Sequence, residues 1–437
     1  MMRLPRLAMP TPFTLEDSAL LPSPTATPRF GIDRLLTEQE LARFLAGKRI
    51  GLVAHPASVT ADMVHSVDAL AALLGDGLRC AFGPQHGMKG DKQYNMVESE
   101  DELDPVYGIP VFSLYGEHRR PTAEQLSLCD GILFDLQDVG CRIYTYLTTL
   151  LYMMEACAAE GKFLWVLDRP NPAGRAVEGS ILRAGNESFV GMGPVIMRHG
   201  LTLGEMALWI REQWKLSLDL RVIPMEGYSA STSPGYGWPL EVRSWVNPSP
   251  NLPTLSGVRC YAGTVMLEGT TLSEGRGTTR PLEGFGAPDV SGAAILKEMH
   301  RLHEASGLSG TPAAWMGGCL LRPFFFEPTF YKHQGKLCSG IQFHVDHAGY
   351  RPEAFKPYRL QALAFKALRQ LYPDYPLWRD FAYEYVYDRL AIDVITGCET
   401  LRTWVDDAQA RLGDLEAFLA KDEKSWREQS EAYLLYR

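Results

Sequence analysis

The chain has 437 residues, of which 46% are hydrophobic and 22% charged, a length that exceeds one ordinary core and a composition that excludes a disordered chain. Its net charge of −9 comes without any lysine- or arginine-rich stripe, so nucleic acid and anionic membrane surfaces have no electrostatic case as partners. No apolar run approaches the length of a membrane span, and the eight scattered cysteines show no C-x-x-C spacing, so free buried thiols and a cytoplasmic location are expected.

Residues 1–30 contain Arg3 and Arg6 but no apolar segment, and they are broken by Pro5, Pro10, Pro12, Pro22, Pro24 and Pro28. They read as an extended tail and not as a signal peptide. From Gly31 the pattern turns regular. Thr37-Glu38-Gln39-Glu40 reads as a capping box opening a helix through Leu41, Phe44 and Leu45, and residues 49–54 read as a buried strand. Met63, Val67, Leu70 and Leu74 recur at helical spacing before a strand over 78–82.

The alternation continues. A strand over 109–114 precedes the capping box Thr122 to Gln125 and its helix, followed by a strand over 131–134. Ile143, Leu147, Leu150, Leu151 and Met154 mark the next helix face, and residues 163–167 the next strand. A capping box at Thr202 to Glu205 opens another helix, and residues 220–223 close the series. Short apolar strands alternating with helices predict an α/β fold: a Rossmann-like, doubly wound, mainly parallel sheet over residues 31–225. Residues 226–258 are rich in Ser, Pro and Gly and place the boundary to a second, smaller α/β domain over 226–437. That domain carries an amphipathic helix through Leu360, Leu363, Ala367 and Leu371 and a charged helical tail.

In such sheets ligands sit where loops leave the carboxyl ends of strands. Four loops are rich in chemistry: Gly83-Pro84-Gln85-His86-Gly87 with the acidic stretch holding Glu98, Asp135 to Tyr146, Asp168 to Pro172, and Glu268 to Thr279. A histidine between residues that bury little, as His86 is, points to function more than to packing. Asp135 and Asp168 serve equally well as helix caps or as partners of Arg142 and Arg169, and Glu274 with Arg276 can be a plain ion pair. No G-x-G-x-x-G follows the first strand, and neither a phosphate loop, a G-x-S-x-G elbow nor an H-E-x-x-H is present. His344 and His347 flank Asp346 in metal-like fashion, but Phe343 and Val345 alternate with them as in a half-buried strand. No metal or nucleotide cofactor is expected.

These loops, in this order, resemble the NamZ-type exo-β-N-acetylmuramidase family, formerly a domain of unknown function. The likeness rests on His86-Gly87, Pro110 to Gly116, Asp135 to Gly140, Leu167 to Pro172, Arg198-His199-Gly200, Pro248 to Asn251 and Glu268 to Thr278. The resemblance implies an active site between two domains, a small carbohydrate substrate and release of terminal N-acetylmuramic acid from the non-reducing end of peptidoglycan fragments. Many relatives carry Pro-Glu-His-Gly where this chain has Pro84-Gln85-His86-Gly87, and an amide cannot donate a carboxyl proton. The expected roles are therefore Glu98 as general acid, His86 and Gln85 orienting the leaving oxygen or the acetamide, and Glu274 as second carboxylate. Asp138, Arg142 and Tyr144 would line the floor, Arg142 and Arg276 would hold the lactyl carboxylate, and Asp168, Arg169, Asn171, His199 and Asn251 would complete substrate binding. Two other readings fit the same residues: carbohydrate binding without turnover, and hydrolysis of another amino-sugar glycoside.

Overall fold

The computed structural model describes residues 27–94, 96–231 and 236–436. The expected tail over 1–30 therefore falls almost wholly outside the described residues, as does part of the Ser/Pro/Gly stretch at 232–235.

The first half is built on a seven-stranded sheet. Its strands are β1 (Ile50–Val53), β2 (Leu78–Gly83), β3 (Glu102–Leu103), β4 (Pro110–Ser113), β5 (Gly131–Phe134) and β6 (Phe163–Leu167). After a separate antiparallel pair, β7 (Glu178–Ile181) with β8 (Ile196–Arg198), the sheet ends with β9 (Leu220–Ile223). The order is β3-β4-β2-β1-β5-β6-β9, parallel throughout except where β3 runs antiparallel to β4. β1, β5 and β6 are buried along their whole length, which is why they read as unbroken apolar runs. The chain winds from β1 outward to β4, then from β5 outward on the other side. The switch between β1 and β5 leaves the crevice in which such sheets bind ligands.

Helices 66–74, 123–127, 146–159 and 203–213 cover the sheet. The capping boxes at Thr122 and Thr202 form as expected, each threonine accepting from the backbone three residues on and receiving the glutamine or glutamate in return. The one expected at Thr37 does not form. Thr37 ends a preceding helix, Gly31–Thr37, where its hydroxyl donates back to Asp33 O (2.8 Å), and the next helix begins after Glu38. Met63 likewise lies outside its expected helix, exposed in the preceding turn with φ 62°.

The second domain has its own antiparallel sheet, β10 (Gly284–Ala287), β11 (Leu320–Phe326) and β12 (Cys338–His344), in the order β10-β12-β11. Helix Pro357–Leu371, buried over most of its length, packs beside helices 255–264 and 292–305. The charged helix Leu412–Ser430 then returns to the first domain, where Asp422 accepts from the Ile181 backbone (2.9 Å). Behind it, the Tyr436 hydroxyl donates to buried Asp168 Oδ2 (2.6 Å) and accepts from Met225 N (2.8 Å). Asp168 also receives Thr202 Oγ1 (2.7 Å) and Gly204 N (2.8 Å). The chain end is thus stitched to the carboxyl end of β6.

Removing that phenolic hydroxyl strips a donor from a buried carboxylate. Tyr436→Phe is expected to lower unfolding stability by about 1.5–3 kcal/mol, read as a shift in urea midpoint at unchanged slope.

Candidate active site

The loop after β2 turns back sharply. A Cβ on Gly83 would stand 2.8 Å from Met88 N, and both His86 and Gly87 adopt φ 72°, so the turn needs glycine at its start and places a histidine in the left-handed region at some cost. The result aims two buried side chains inward. His86 Nδ1 lies 2.9 Å from Lys92 O. Burial, reinforced by nearby Arg276, pushes the pKa of His86 down to about 4, so the ring is neutral near pH 7. With Nδ1–H bound to a carbonyl, its Nε2 keeps a free lone pair. Gln85 Oε1 accepts from Thr145 Oγ1 (3.0 Å), and its Nε2 donates to Glu384 Oε1 (3.4 Å).

Glu384 was not anticipated. It comes from the far end of the second domain, on a two-residue turn closed by Tyr383 N to Val386 O (3.2 Å) and Val386 N to Tyr383 O (3.0 Å). Glu384 and Tyr385 have φ 46° and 66°, the signs of a turn that ordinarily takes Asn-Gly. The Glu384 residue is 5% exposed. Its Oε2 accepts from the Tyr115 hydroxyl (2.8 Å), at the end of β4. Burial pushes its carboxyl up to about 7, Glu268 adds to the rise, and the bonds from Tyr115 and Gln85 with the charge of Arg119 only partly offset it.

Beside it lies a buried group of two cations and two carboxylates. Tyr383 OH donates to Glu268 Oε2 (2.6 Å), Arg276 Nη2 to Glu268 Oε1 (2.5 Å), and Arg276 Nε to Glu274 Oε1 (3.0 Å). Lys332 Nζ lies 2.8 Å from Glu274 Oε2 and also donates to the carbonyls of Leu267 and Leu272. Burial favours the neutral acid at Glu274, but Lys332 and Arg276 outweigh it and hold the pKa below the usual carboxylate value. Charges this deeply buried persist because each is paired.

The structure brings Gln85, His86, Glu274 and Arg276 together and separates several other expected residues from them. Glu98 is a surface residue, its side chain 53% exposed, and it accepts from the Tyr385 hydroxyl (2.7 Å). Arg142 is no carboxylate clamp, because its guanidinium is sealed in the core and donates to the carbonyls of Ser180 (2.7 Å), Val195 (2.8 Å) and Ile395 (3.0 Å). Arg169 and Asp135 form a buried two-point pair at 2.6 and 2.8 Å. Asp168 is taken up by the helix cap and Tyr436, and Asn171 by Leu201 O (3.0 Å) and Ala173 N (2.9 Å). Asp138 Oδ2 accepts from Gly140 N (2.7 Å) and stands 3.3 Å from His199 Nε2. Tyr144 stacks edge-on against Tyr146 and Tyr261, whose own electrostatic neighbours are Glu268 and Arg276, so it lies beneath the cluster. Asn251 Nδ2 donates to Gln93 O (2.8 Å) and ties down the β2 loop.

Arg119 was also missed. Its guanidinium lies 3.8 Å from the Tyr385 ring centroid and within 5.3 Å of that of Tyr115, while its Nε and Nη2 make no hydrogen bond. Arg119 sits in a charged turn, Glu117-His118-Arg119-Arg120, that reads as solvated surface. Glu384 lies among aromatic residues, Tyr383-Glu384-Tyr385, and a single carboxylate in that setting was the one available signal.

A parallel sheet with its switch-point loops facing a second domain, and carboxylates gathered where the two meet, define a two-domain, doubly wound α/β protein. The family described as exo-β-N-acetylmuramidase NamZ matches in both its parts, the N-terminal over residues 50–256 and the C-terminal over 259–436. The chain belongs to the NamZ family. It is 38% identical over 345 residues to the peptidoglycan β-N-acetylmuramidase NamZ of Bacillus subtilis, covering 79% of this chain and 78% of that protein. Two DUF1343 family proteins of known structure from Bacteroides fragilis share the fold, with TM-scores of 0.78 and 0.71 at 28% and 25% identity. Each alignment covers 94% of this chain and 99% of the other.

Arg142→Ala would take the guanidinium donor from three buried carbonyls, of which Val195 O keeps Leu182 N (3.2 Å). It is expected to cost on the order of 3 kcal/mol or more in stability, while the folded fraction keeps the KM of the wild type; a raised KM in fully folded protein would return Arg142 to the substrate.

Proposed function

We propose that this protein hydrolyses the terminal β-glycosidic bond of peptidoglycan fragments and releases N-acetylmuramic acid from their non-reducing end. The family match across both halves carries the reading, because the residues gathered at the junction come from both. Glycoside cleavage needs a proton for the leaving oxygen and negative charge facing an oxocarbenium-like carbon. We assign the second requirement to Glu274, whose carboxyl Lys332 and Arg276 hold below the usual carboxylate range. Neutral His86 offers its free nitrogen to a sugar hydroxyl or to water.

The muramic acid lactyl group is a carboxylate, and the guanidinium we assign to it is Arg119, 3.8 Å from the Tyr385 ring centroid, with Nε and Nη2 outside any hydrogen bond and Glu98 Oε1 3.9 Å from Nη2. Such a stacked, planar fork suits two-point recognition of a carboxylate. Arg276 is already committed to Glu268 and Glu274. The reaction in this reading uses no metal. His344 and His347 take part in other contacts, His344 Nε2 accepting from Arg322 (3.2 Å) and His347 Nδ1 from Gly349 N (2.9 Å). We place the reaction in the cytoplasm, on imported fragments, because the eight cysteines are all free thiols, the state a reducing compartment maintains. No helix among the described residues is long and apolar enough to cross a membrane.

Incubation with a muramic acid–glucosamine disaccharide is expected to yield free N-acetylmuramic acid by mass analysis, at a rate that a chelator leaves unchanged. Binding without any product would favour a carbohydrate-sensing protein, the rival that Gln85 suggests. Arg119→Ala is expected to raise KM about 10- to 100-fold more for muramides than for the matching N-acetylglucosaminide, which has no lactyl group, any loss through the Glu384 turn being common to both sugars. An equal effect on both sugars would remove Arg119 from carboxylate recognition.

A further inference from the structure

We propose that Glu384 is the proton donor of the glycosidic cleavage, and that Gln85 and Tyr115 position it from the first domain. The inference rests on the activity proposed above and names the group on which its chemistry turns.

The carboxyl groups of the site fall into three kinds. Glu268 is ion-paired with Arg276, and Glu274 with Arg276 and Lys332, whose charges hold the Glu274 carboxyl below the usual carboxylate range. Glu98 is exposed and bound to the outer side of the turn through Tyr385. Glu384 alone of these is buried with neutral hydrogen-bond partners, the amide of Gln85 and the phenol of Tyr115. A carboxyl in such surroundings keeps its proton.

Position 85 becomes intelligible in this light. A glutamate there would set two carboxyls in hydrogen-bond contact, and like charges that close cannot both ionise. The amide instead turns its N–H to Glu384, with its oxygen taken by Thr145. Gln85 thereby acts as a donor to the acid and not as the acid.

The backbone carries the same message. Two successive residues with side chains occupy the left-handed region, at about 1–3 kcal/mol each, and both neighbours of Glu384 are clamped. Tyr383 is bonded to Glu268; Tyr385 is bonded to Glu98 and stacked on Arg119. A turn held against its own preference from both sides fixes the carboxyl between them. Glu98, expected as the acid, thus acts as a positioning residue one step removed.

In the reaction, the bond between C1 and the leaving oxygen breaks, its electron pair departs with that oxygen, and the Glu384 proton joins it. A water oxygen takes the vacated place on C1 and sheds one proton, so one water is consumed per bond and the acid is reloaded. The carboxylate left on Glu384 in between is held by the donors on Gln85 and Tyr115, and the tyrosine hydroxyl can reverse its role when the carboxyl is protonated again. The groups that face Glu384 are Gln85, Tyr115 and Arg119 from the first domain and Tyr261, Glu268, Tyr383 and Tyr385 from the second. Their sum, dominated by burial, keeps it protonated up to about pH 7, so activity falls as pH rises beyond that point.

The test compares Glu384→Gln with wild type on the disaccharide and on a 2,4-dinitrophenyl muramide, whose leaving phenolate needs no proton. Turnover of the disaccharide is expected to fall about 10²- to 10⁴-fold and that of the dinitrophenyl substrate less than about tenfold. The alkaline limb of the dinitrophenyl pH–rate profile should shift little between the two proteins, and that of disaccharide turnover should vanish in the variant. Equal losses on both substrates, or disaccharide turnover within about tenfold of wild type, would overturn the proposal. Should Glu384→Gln fail to fold, Glu384→Asp keeps the carboxyl but withdraws it, and the same ratio of losses decides. Wild-type protein inert on both substrates would overturn the activity itself, whereas active wild type with an unimpaired variant overturns only the proton donor.

Discussion

The Gln85 amide and the Tyr115 hydroxyl meet the Glu384 carboxyl across 299 and 269 residues of chain, and burying that one carboxyl sets terms for everything around it. A carboxyl sealed from water must find donors or keep its proton. Here the donors come from the carboxyl ends of two parallel strands and the acid from the other domain. The site therefore exists only when both domains are docked.

The docking is itself built from satisfied polar groups. Tyr436 and Thr202 share Asp168 at the end of β6, and the helix over 412–430 lays Asp422 on the β7 backbone and on Arg183. Glu178 of β7 accepts from the backbone N–H groups of Tyr358 (3.0 Å) and Arg359 (2.9 Å), at the start of the second domain's central helix. Arg142 joins Ser180 and Val195 to Ile395 by carbonyl bonds alone. These contacts are buried, hydrogen-bonded and spread along the junction, so they orient the domains as well as hold them.

Many polar residues at strand ends turned out to be scaffolding for this reason. Asp135 with Arg169, Asn171 and Asp168 hold the loops after β5 and β6 against their neighbours, and the loop after β5 carries Thr145, which bonds Gln85. Loops that follow parallel strands must satisfy their own backbone before they can present anything to a ligand. That is why richness in charged and amide residues locates such loops well but does not say which residues in them touch substrate.

Local pattern alone determined the main parallel strands of the first domain and most of the helices between them. Buried strands such as 131–134 and 163–167, the caps at Thr122 and Thr202, and the unusual glycines around His86 are read from neighbours in the chain, because propensity, periodicity and turn chemistry act over a few residues. Where a local signal failed, as at Thr37, a second helix had claimed the same residue. The family motifs likewise pointed to the β2 loop, where this chain carries Gln85. Only the tertiary structure brings Glu384 to that glutamine. The Glu384 carboxyl is shifted by burial and by partners from the other domain, and Tyr383-Glu384-Tyr385 itself records only a lone carboxylate among aromatic residues.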